Sequence, residues 1–148
     1  MKLVKLRQAL IDLNVDALLI TNEYNRRYMT GFTGTAGVAV VTKNDAVFIT
    51  DFRYTEQAQA QVQDFRIVQH NGPIFAEVAT QVALMGAKTI GFEKDSMSYA
   101  TYEIYKEAVK AEFVPVSGVI EKIRLIKTQE EINIIKAACE IADNAFTH

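Results

Sequence analysis

Runs rich in β-branched and apolar residues alternate with segments of helical periodicity along most of the chain. The β-rich runs predict six strands, at residues 16–21, 38–42, 46–50, 65–69, 89–93 and 113–116. Apolar positions at helical spacing predict four helices, at residues 3–14, 53–62, 74–85 and 99–110. Strands that alternate with helices of about ten residues imply a central sheet covered on both faces. The predicted fold is therefore α/β, with three α/β/α layers.

The central sheet is predicted to be mixed, with about six strands. Lys43, Asn44 and Asp45 provide turn chemistry between two β-rich runs, so the second and third strands form an antiparallel hairpin. Asp51 follows the hairpin and is predicted to be the N-cap of the next helix. With 148 residues, of which 49% are hydrophobic and 23% charged, one compact unit is expected.

Charge and hydropathy exclude several function classes. A net charge of -2 without a basic cluster provides no footprint for nucleic acid, so no nucleic-acid partner is predicted. The longest apolar runs cover only a few residues, so no membrane segment is predicted. The N-terminus lacks the apolar core of a signal peptide, and a single cysteine, Cys139, allows no internal disulfide. Both features favour the cytoplasm.

The segment Tyr28–Gly37 contains three glycines and two aromatic residues. Because glycine tolerates close contact and positive φ, this pattern predicts a surface loop that passes near another group and then enters a buried strand. The spacing Gly31-x-x-Gly34-x-x-Gly37 matches neither the dinucleotide fingerprint nor the P-loop. Phosphate binding is therefore a weak interpretation.

Nothing in the sequence assembles a catalytic or metal-binding set. The two histidines, His70 and His148, lie far apart and without neighbouring ligands at metal-site spacing, so each is predicted to be structural or solvated. Cys139 is predicted to be a small buried thiol on a helix. No catalytic residue and no metal ligand is therefore assigned.

Asp51, Arg53 and Tyr54 lie at an end of the predicted sheet from which side chains often project toward a neighbouring site. On spacing alone a local interpretation is favoured. In that case Asp51 caps the helix, Arg53 pairs with Asp51 or another carboxylate, and Tyr54 packs. The residues alone leave both interpretations open.

The C-terminal segment is predicted to be a helix that leads into another domain. Thr128 and Glu131 fit a capping box, which marks the helix start. An apolar stripe follows on one face and needs a partner surface, at Ile132, Ile135, Cys139, Ala142 and Phe146. No stop signal precedes His148. The stripe is expected to be exposed, or buried against a second copy.

Three segments together carry a family resemblance. They are Asn25–Gly37; Thr50–Ala58, with the pattern D-x-R-Y; and Ile123–Ile132, with the pattern R-x-x-K-x-x-x-E-I. In this order they resemble the N-terminal domain and domain junction of the creatinase, prolidase and aminopeptidase P family, the pita-bread metallopeptidases, and bacterial Xaa-Pro peptidases in particular. The resemblance implies a division into residues 1–124, the N-terminal α/β domain, and residues 125–148, the junction and first helix of a catalytic domain.

That family hydrolyses the peptide bond preceding proline with two divalent cations, Mn²⁺ or similar, held by two Asp, one His and two Glu of the C-terminal domain. By resemblance, this chain binds no cofactor itself and has three kinds of partner: its own C-terminal catalytic domain, a second subunit in a homodimer, and proline-containing peptides as substrate of the parent enzyme. The resemblance implies that the chain mediates dimerisation and borders the partner subunit's active site. The candidate border residues are Tyr28, Phe32, Asp51, Arg53 and Tyr54. The alternative is a protein-binding module of a catalytically dead, chaperone-like relative.

Overall fold

A computed structural model describes residues 1–147 and shows a six-stranded sheet between two layers of helices. His148 lies outside the described residues. The elements in chain order are α1 (Lys2–Asp12), β1 (Ala17–Ile20), α2 (Glu23–Thr30), β2 (Val38–Thr42), β3 (Ala46–Thr50), α3 (Thr55–Gln61), β4 (Arg66–Gln69), α4 (Ile74–Leu84), β5 (Thr89–Glu93), α5 (Tyr99–Ala108), β6 (Glu112–Val116), α6 (Val119–Leu125) and α7 (Gln129–Phe146).

The strands lie in the order β4-β3-β2-β1-β5-β6, so the predicted mixed sheet is confirmed. Strand β2 runs antiparallel to β3, which confirms the predicted hairpin, and it also runs antiparallel to β1. The remaining neighbours, β3 with β4, β1 with β5 and β5 with β6, are parallel. Every residue of β1, β2 and β3 is buried, because helices cover both faces of the central strands.

Each face of the sheet has its own apolar core. On one face, α1, α2, α3 and α6 pack over the sheet, with Leu6, Leu10, Phe32, Phe48 and Ile120 among the buried residues. On the other face, α4 and α5 pack over a second core that includes Val40, Val47, Val78, Val82 and Tyr105. The three-layer α/β/α prediction is therefore confirmed.

Two helices were not predicted. Helix α2 occupies Glu23–Thr30, so Tyr28 lies in a helix and not in the predicted loop, which begins only at Gly31. The Asn22 side chain accepts a hydrogen bond from the Asn25 amide at its start, and Gly31, with φ of 78°, ends it. Helix α6 is also additional and begins after Gly118, which has φ of 65°.

The predicted N-cap at Asp51 is wrong. Helix α3 begins at Thr55 with Tyr54 in the N-cap position. Asp51 lies too far from the helix start, and its carboxylate accepts hydrogen bonds from Arg53 instead. The chain thus makes a turn over residues 51–54 before the helix begins, with the Tyr54 amide donating to the Asp51 carbonyl at 3.1 Å.

Helix α7 begins with the predicted capping box, in which the Thr128 hydroxyl and the Glu131 carboxylate exchange bonds with the backbone. It has no buried residue, and side chains of its apolar stripe reach 49% exposure at Ile135 and 93% at Phe146. Cys139 is therefore exposed and not the predicted buried thiol, because no described residue covers that helix face. No helix within residues 1–147 is both long and apolar enough to cross a membrane.

Candidate functional site

A buried arginine of α2 fixes the glycine loop, which we define as residues 31–37. The Arg26 side chain is only 4% exposed and lies behind the loop. Its guanidinium donates to the carbonyl oxygens of Gly34 at 2.6 Å, Gly37 at 2.8 Å and Thr35 at 3.5 Å. Burial lowers the pKa of Arg26, and its Nε has no hydrogen-bond partner in the described part of the chain. The loop is thus tied to α2 by charge-assisted bonds.

Aromatic packing holds the loop from below. Phe32 is fully buried, with its ring centroid 4.7 Å from that of Phe48 and 5.7 Å from that of Tyr54. Gly34 lies directly on these rings, since a Cβ at this position would come within 2.3 Å of a Phe32 carbon and 2.9 Å of a Tyr54 carbon. The side chain of Phe32, one of the candidate border residues, therefore belongs to the core and supports the loop from within the domain.

The segment after β3 contacts the glycine loop through hydroxyl groups. The Tyr54 hydroxyl and the Thr35 hydroxyl lie 2.8 Å apart, and the Thr50 hydroxyl donates to the Ala36 carbonyl at 2.8 Å. Thr35 in the loop and Arg53 in the segment after β3 are both exposed. This end of the sheet therefore presents a hydroxyl and a guanidinium group to solvent.

Arg53 and Asp51 form a bidentate pair. The Arg53 Nε and one terminal nitrogen donate to the two Asp51 oxygens at 2.9 and 2.8 Å, and the Arg53 amide donates to the same carboxylate at 3.0 Å. These bonds lower the pKa of Asp51 to about 2. The Arg53 side chain remains 61% exposed and lies over the Tyr54 ring at 5.4 Å. The local pairing is thus present, and part of the guanidinium still faces solvent.

Tyr28 lies apart from this pair. The Lys2 ammonium sits 4.0 Å from the Tyr28 ring centroid, and the Arg124 guanidinium sits 6.0 Å from it. Burial and the nearby Glu131 carboxylate raise the pKa of Tyr28, and Arg124 opposes this shift. Tyr28 borders a groove of about 520 Å³ formed with α6 and α7. The structure therefore joins Phe32, Asp51, Arg53 and Tyr54 in one region and places Tyr28 in another.

Sequence reasoning missed a buried polar network at the carboxyl ends of β1 and β5. The Glu93 carboxylate accepts from the backbone amides of Thr21 and Asn22, each at 2.9 Å, and from Asn25 Nδ2 at 2.7 Å. Burial raises the pKa of Glu93, and these hydrogen bonds partly offset the shift. Asn25 also contacts α6, donating to Glu121 at 2.6 Å and accepting from Arg124 at 2.9 Å.

Two signals pointed to this network. Asn25 and Arg124 stand in two of the three segments that carry the family resemblance, and Glu93 is a carboxylate that ends an apolar run. Neither signal shows which side chains are in contact, because a local sequence pattern cannot pair Asn25 with Arg124 across 99 positions.

Within residues 1–147 no group of three or more His, Cys, Asp and Glu side chains is arranged to hold a metal ion. His70 pairs its Nδ1 with the Gly72 carbonyl at 2.7 Å, and the second predicted histidine, His148, lies outside the described residues.

The chain is similar to known peptidases over nearly its whole length. The family model described as Creatinase/Prolidase N-terminal domain matches residues 2–126. An uncharacterised peptidase, YqhT, of Bacillus subtilis is 52% identical over 100% of this chain and 42% of its own length. The structure of a Xaa-Pro dipeptidase from Bacillus anthracis is 53% identical, with a TM-score of 0.97 over 99% of this chain and 41% of that one. This chain therefore spans about two fifths of these relatives.

A smaller solved structure matches as a domain by itself. The N-terminal domain of the cytoplasmic peptidase PepQ from Mycobacterium tuberculosis is 28% identical, with a TM-score of 0.75 over 82% of this chain. The match covers 96% of that domain, so the α/β part corresponds to an independently studied unit.

Proposed function

Because this chain belongs to the creatinase/prolidase N-terminal domain family, we propose that it is the non-catalytic N-terminal domain of a metal-dependent Xaa-Pro peptidase. The observation that carries the proposal is the match to the Xaa-Pro dipeptidase of B. anthracis, which covers 99% of this chain but 41% of that enzyme. The reaction of the parent protein is hydrolysis of the peptide bond that precedes proline. The same comparison supports a C-terminal catalytic domain as the first partner of this chain.

In this proposal the metal ions belong to the C-terminal domain. When bound there, two divalent cations, Mn²⁺ or similar, would supply Lewis-acid chemistry for hydrolysis. The donor set of this chain does not fit such a centre, since the described residues bring no three metal-binding side chains together. The contribution of this chain is to position the substrate at the border of the active site. Cytoplasmic location is part of the proposal, supported by the PepQ relative that is described as a cytoplasmic peptidase.

The proposed role of the domain is dimerisation and bordering of the partner subunit's active site. Thr35, Asp51, Arg53 and Tyr54 form one connected surface, whose backbone is fixed by Arg26 and by the Phe32 ring below it. A rigid wall can exclude water and limit substrate length, which favours a defined binding geometry. The exposed part of the Arg53 guanidinium is suited to bind a peptide carboxylate, because Asp51 already fixes its orientation.

The assignment to a peptidase is tested with two polypeptides, this chain alone and a longer one that includes the C-terminal domain. We expect Mn²⁺-dependent hydrolysis of an X-Pro dipeptide by the longer polypeptide, its loss after chelation, and no hydrolysis by this chain. Metal-dependent turnover by the 148-residue chain would refute the proposal. An inactive longer polypeptide that lacks the two-Asp, one-His, two-Glu set would favour the protein-binding alternative.

The border role is tested by Arg53→Ala in the longer polypeptide, with Arg27→Ala, at an exposed arginine of α2, as control. We expect Arg53→Ala to raise KM for the X-Pro dipeptide and to leave the melting temperature nearly unchanged. A large loss of melting temperature with unchanged kinetics would instead assign Arg53 a local structural role. Light scattering of the longer polypeptide tests the homodimer.

A further inference from the structure

The loop between β4 and α4 contains the single Asn-Gly step of the chain, at Asn71 and Gly72. An asparagine side chain is attacked by the backbone nitrogen of the next residue most readily when that residue is glycine, because no Cβ crowds the nitrogen. Both residues are exposed, and a Cβ at Gly72 would have no heavy atom within 4 Å. The loop therefore leaves room for the Asn71 side chain to reach the Gly72 nitrogen.

The fold does not place this step in a turn that protects it. In the tight hairpin turn that Asn-Gly favours, both residues have positive φ and the pairing of the flanking strands fixes the backbone. Here neither Asn71 nor Gly72 has positive φ, and Pro73 favours an extended backbone at the residue before it. The Gly72 amide donates no hydrogen bond within residues 1–147. The attacking nitrogen is therefore not held by the folded structure.

Two neighbouring side chains contact this loop and leave the Gly72 nitrogen open. Gln69 Nε2 donates to Asn71 Oδ1 at 3.0 Å. A donor on this oxygen stabilises the negative charge that develops there when Asn71 Cγ is attacked. His70 Nδ1 lies 2.7 Å from the Gly72 carbonyl oxygen, so it contacts the peptide group on the other side of Gly72. The side-chain carbonyl is thus polarised while the adjacent backbone nitrogen stays accessible.

We propose that Asn71 is a site of spontaneous covalent modification, at which the asparagine becomes aspartate or isoaspartate with water as the only co-reactant. The Gly72 nitrogen loses its proton to solvent base and bonds to Asn71 Cγ, and the side-chain nitrogen leaves as ammonia. Water then opens the resulting five-membered imide by breaking one of its two ring C–N bonds. One break gives aspartate, and the other routes the backbone through the side chain. Nothing is oxidised or reduced, and the proposal goes beyond the peptidase assignment without depending on it.

The modification changes the charge at one end of the sheet. Strand β4 runs parallel to β3 with Gln69 opposite Thr50, and the His70 amide donates to the Thr50 carbonyl at 2.9 Å. Position 71 therefore follows the same end of the sheet as Asp51 and Arg53. Either product adds one negative charge to a chain of net charge -2, on the side of the exposed Arg53 guanidinium. The modified chain should bind more tightly to an anion exchanger.

The test incubates the folded chain at mildly alkaline pH and follows each asparagine by peptide mass mapping, with isoaspartyl methyltransferase labelling of the products. Asn44 is the internal control, because it is exposed but is followed by Asp45, whose amide donates to the Thr42 hydroxyl at 2.9 Å. We expect Asn71 to be converted at least about tenfold faster than Asn44, into both aspartate and isoaspartate. The rate should rise with pH, because the attacking nitrogen has to lose its proton.

Two variants and one change of conditions separate the steps. Gly72→Ala, which adds a Cβ beside the nitrogen where the fold has space for it, is expected to slow conversion at least about tenfold. Asn71→Gln would have to form a larger ring and is expected to abolish conversion at this position. The unmodified chain in concentrated urea measures the effect of the fold. A loop that opens at little cost should react in the folded chain within about tenfold of the rate in urea.

Conversion of Asn71 no faster than that of Asn44 would overturn the proposal, and so would a rate that Gly72→Ala leaves unchanged. A reaction that is fast in urea and far slower in the folded chain would show that the loop protects the step, which also overturns it. Aspartate formed without isoaspartate would indicate direct hydrolysis of the side chain and refute the imide. A mixture of both products, lost in Asn71→Gln and slowed in Gly72→Ala, is the result that supports the site.

Discussion

One added methyl group at Gly34 tests the packing between the glycine loop and the sheet. Gly34 is buried, and a Cβ there would come within 2.3 and 2.7 Å of two Phe32 ring carbons and within 2.9 Å of a Tyr54 carbon. Gly34→Ala therefore requires a ring or the loop to move. Phe32 has little room, because it is fully buried and packs against Phe48 at a centroid distance of 4.7 Å. Moving the loop instead lengthens the 2.6 Å bond from Arg26 to the Gly34 carbonyl.

The cost can be estimated from these contacts. Forcing one extra carbon into a well-packed core destabilises by about 1–3 kcal/mol. Partial loss of the charged hydrogen bond from Arg26 places the result toward the upper part of that range. For a domain of this size each kcal/mol lowers the melting temperature by about 2–4 °C, so Gly34→Ala is expected to lower it by about 4–12 °C.

Gly72→Ala is the matched control, because no heavy atom lies within 4 Å of a Cβ at Gly72 and its φ is not positive. It is expected to change stability by less than about 0.5 kcal/mol, or to stabilise slightly by restricting the unfolded chain. Urea unfolding followed by circular dichroism measures both variants. Equal stabilities of Gly34→Ala and Gly72→Ala would refute the packing argument. A smaller cost of Gly34→Ala in a Phe32→Leu background would assign the clash to the Phe32 ring.

Three further predictions concern single contacts. The Asp51 carboxyl should titrate at about pH 2 in an NMR experiment, and Arg53→Gln should return its pKa toward 3.8. The Asp51–Arg53 pair contributes to stability above pH 3.8, and that contribution is lost as the pH falls through about 2. A normal Asp51 titration would disprove the pairing. Burial raises the pKa of Tyr105 to about 12, so ultraviolet titration should show a phase near pH 12 that is absent in Tyr105→Phe. Stability should fall as the pH rises from about 10 to about 12, and less steeply in that variant. Thr128→Ala should weaken the start of α7 by about 1 kcal/mol, which should appear as faster amide hydrogen exchange at residues 129–135. Because α7 buries no residue, an equal loss of global stability would contradict this prediction.

Much of the fold was predictable because its signals are local. The apolar runs of β2 and β3 and the polar turn between them specify a hairpin, and the capping box at Thr128 specifies the start of α7. Helix α2 was not predicted, because its buried face includes Asn25, Arg26 and Thr30 and therefore provides no apolar stripe. Its end signals were present, since Asn22 caps the start and Gly31 ends it.

The site was only partly predictable for a different reason. By resemblance, the candidate border residues came from two separate segments, Tyr28–Gly37 and Asp51–Tyr54, and no local pattern showed that the two meet. The structure joins them through the Thr35–Tyr54 bond. Whether an aromatic residue points outward or into the core depends on the packing of β3 against the loop, and Phe32 points inward. The Glu93 network depends on contacts between residues about 70 to 100 positions apart, which no local pattern indicates.

The strand order also has a consequence for how the chain folds. Strands β1 to β4 are contiguous in sequence and neighbours in the sheet, as are β5 and β6, so only the β1–β5 ladder joins the two groups. At the foot of that ladder Asp16 and Thr89 are bonded across 73 positions, which makes this pairing the one with the greatest loop-closure entropy. We therefore expect the two strand groups to form early and their joining at β1–β5 to limit the folding rate, with conservative substitutions at Ile90 slowing folding more than those in the hairpin.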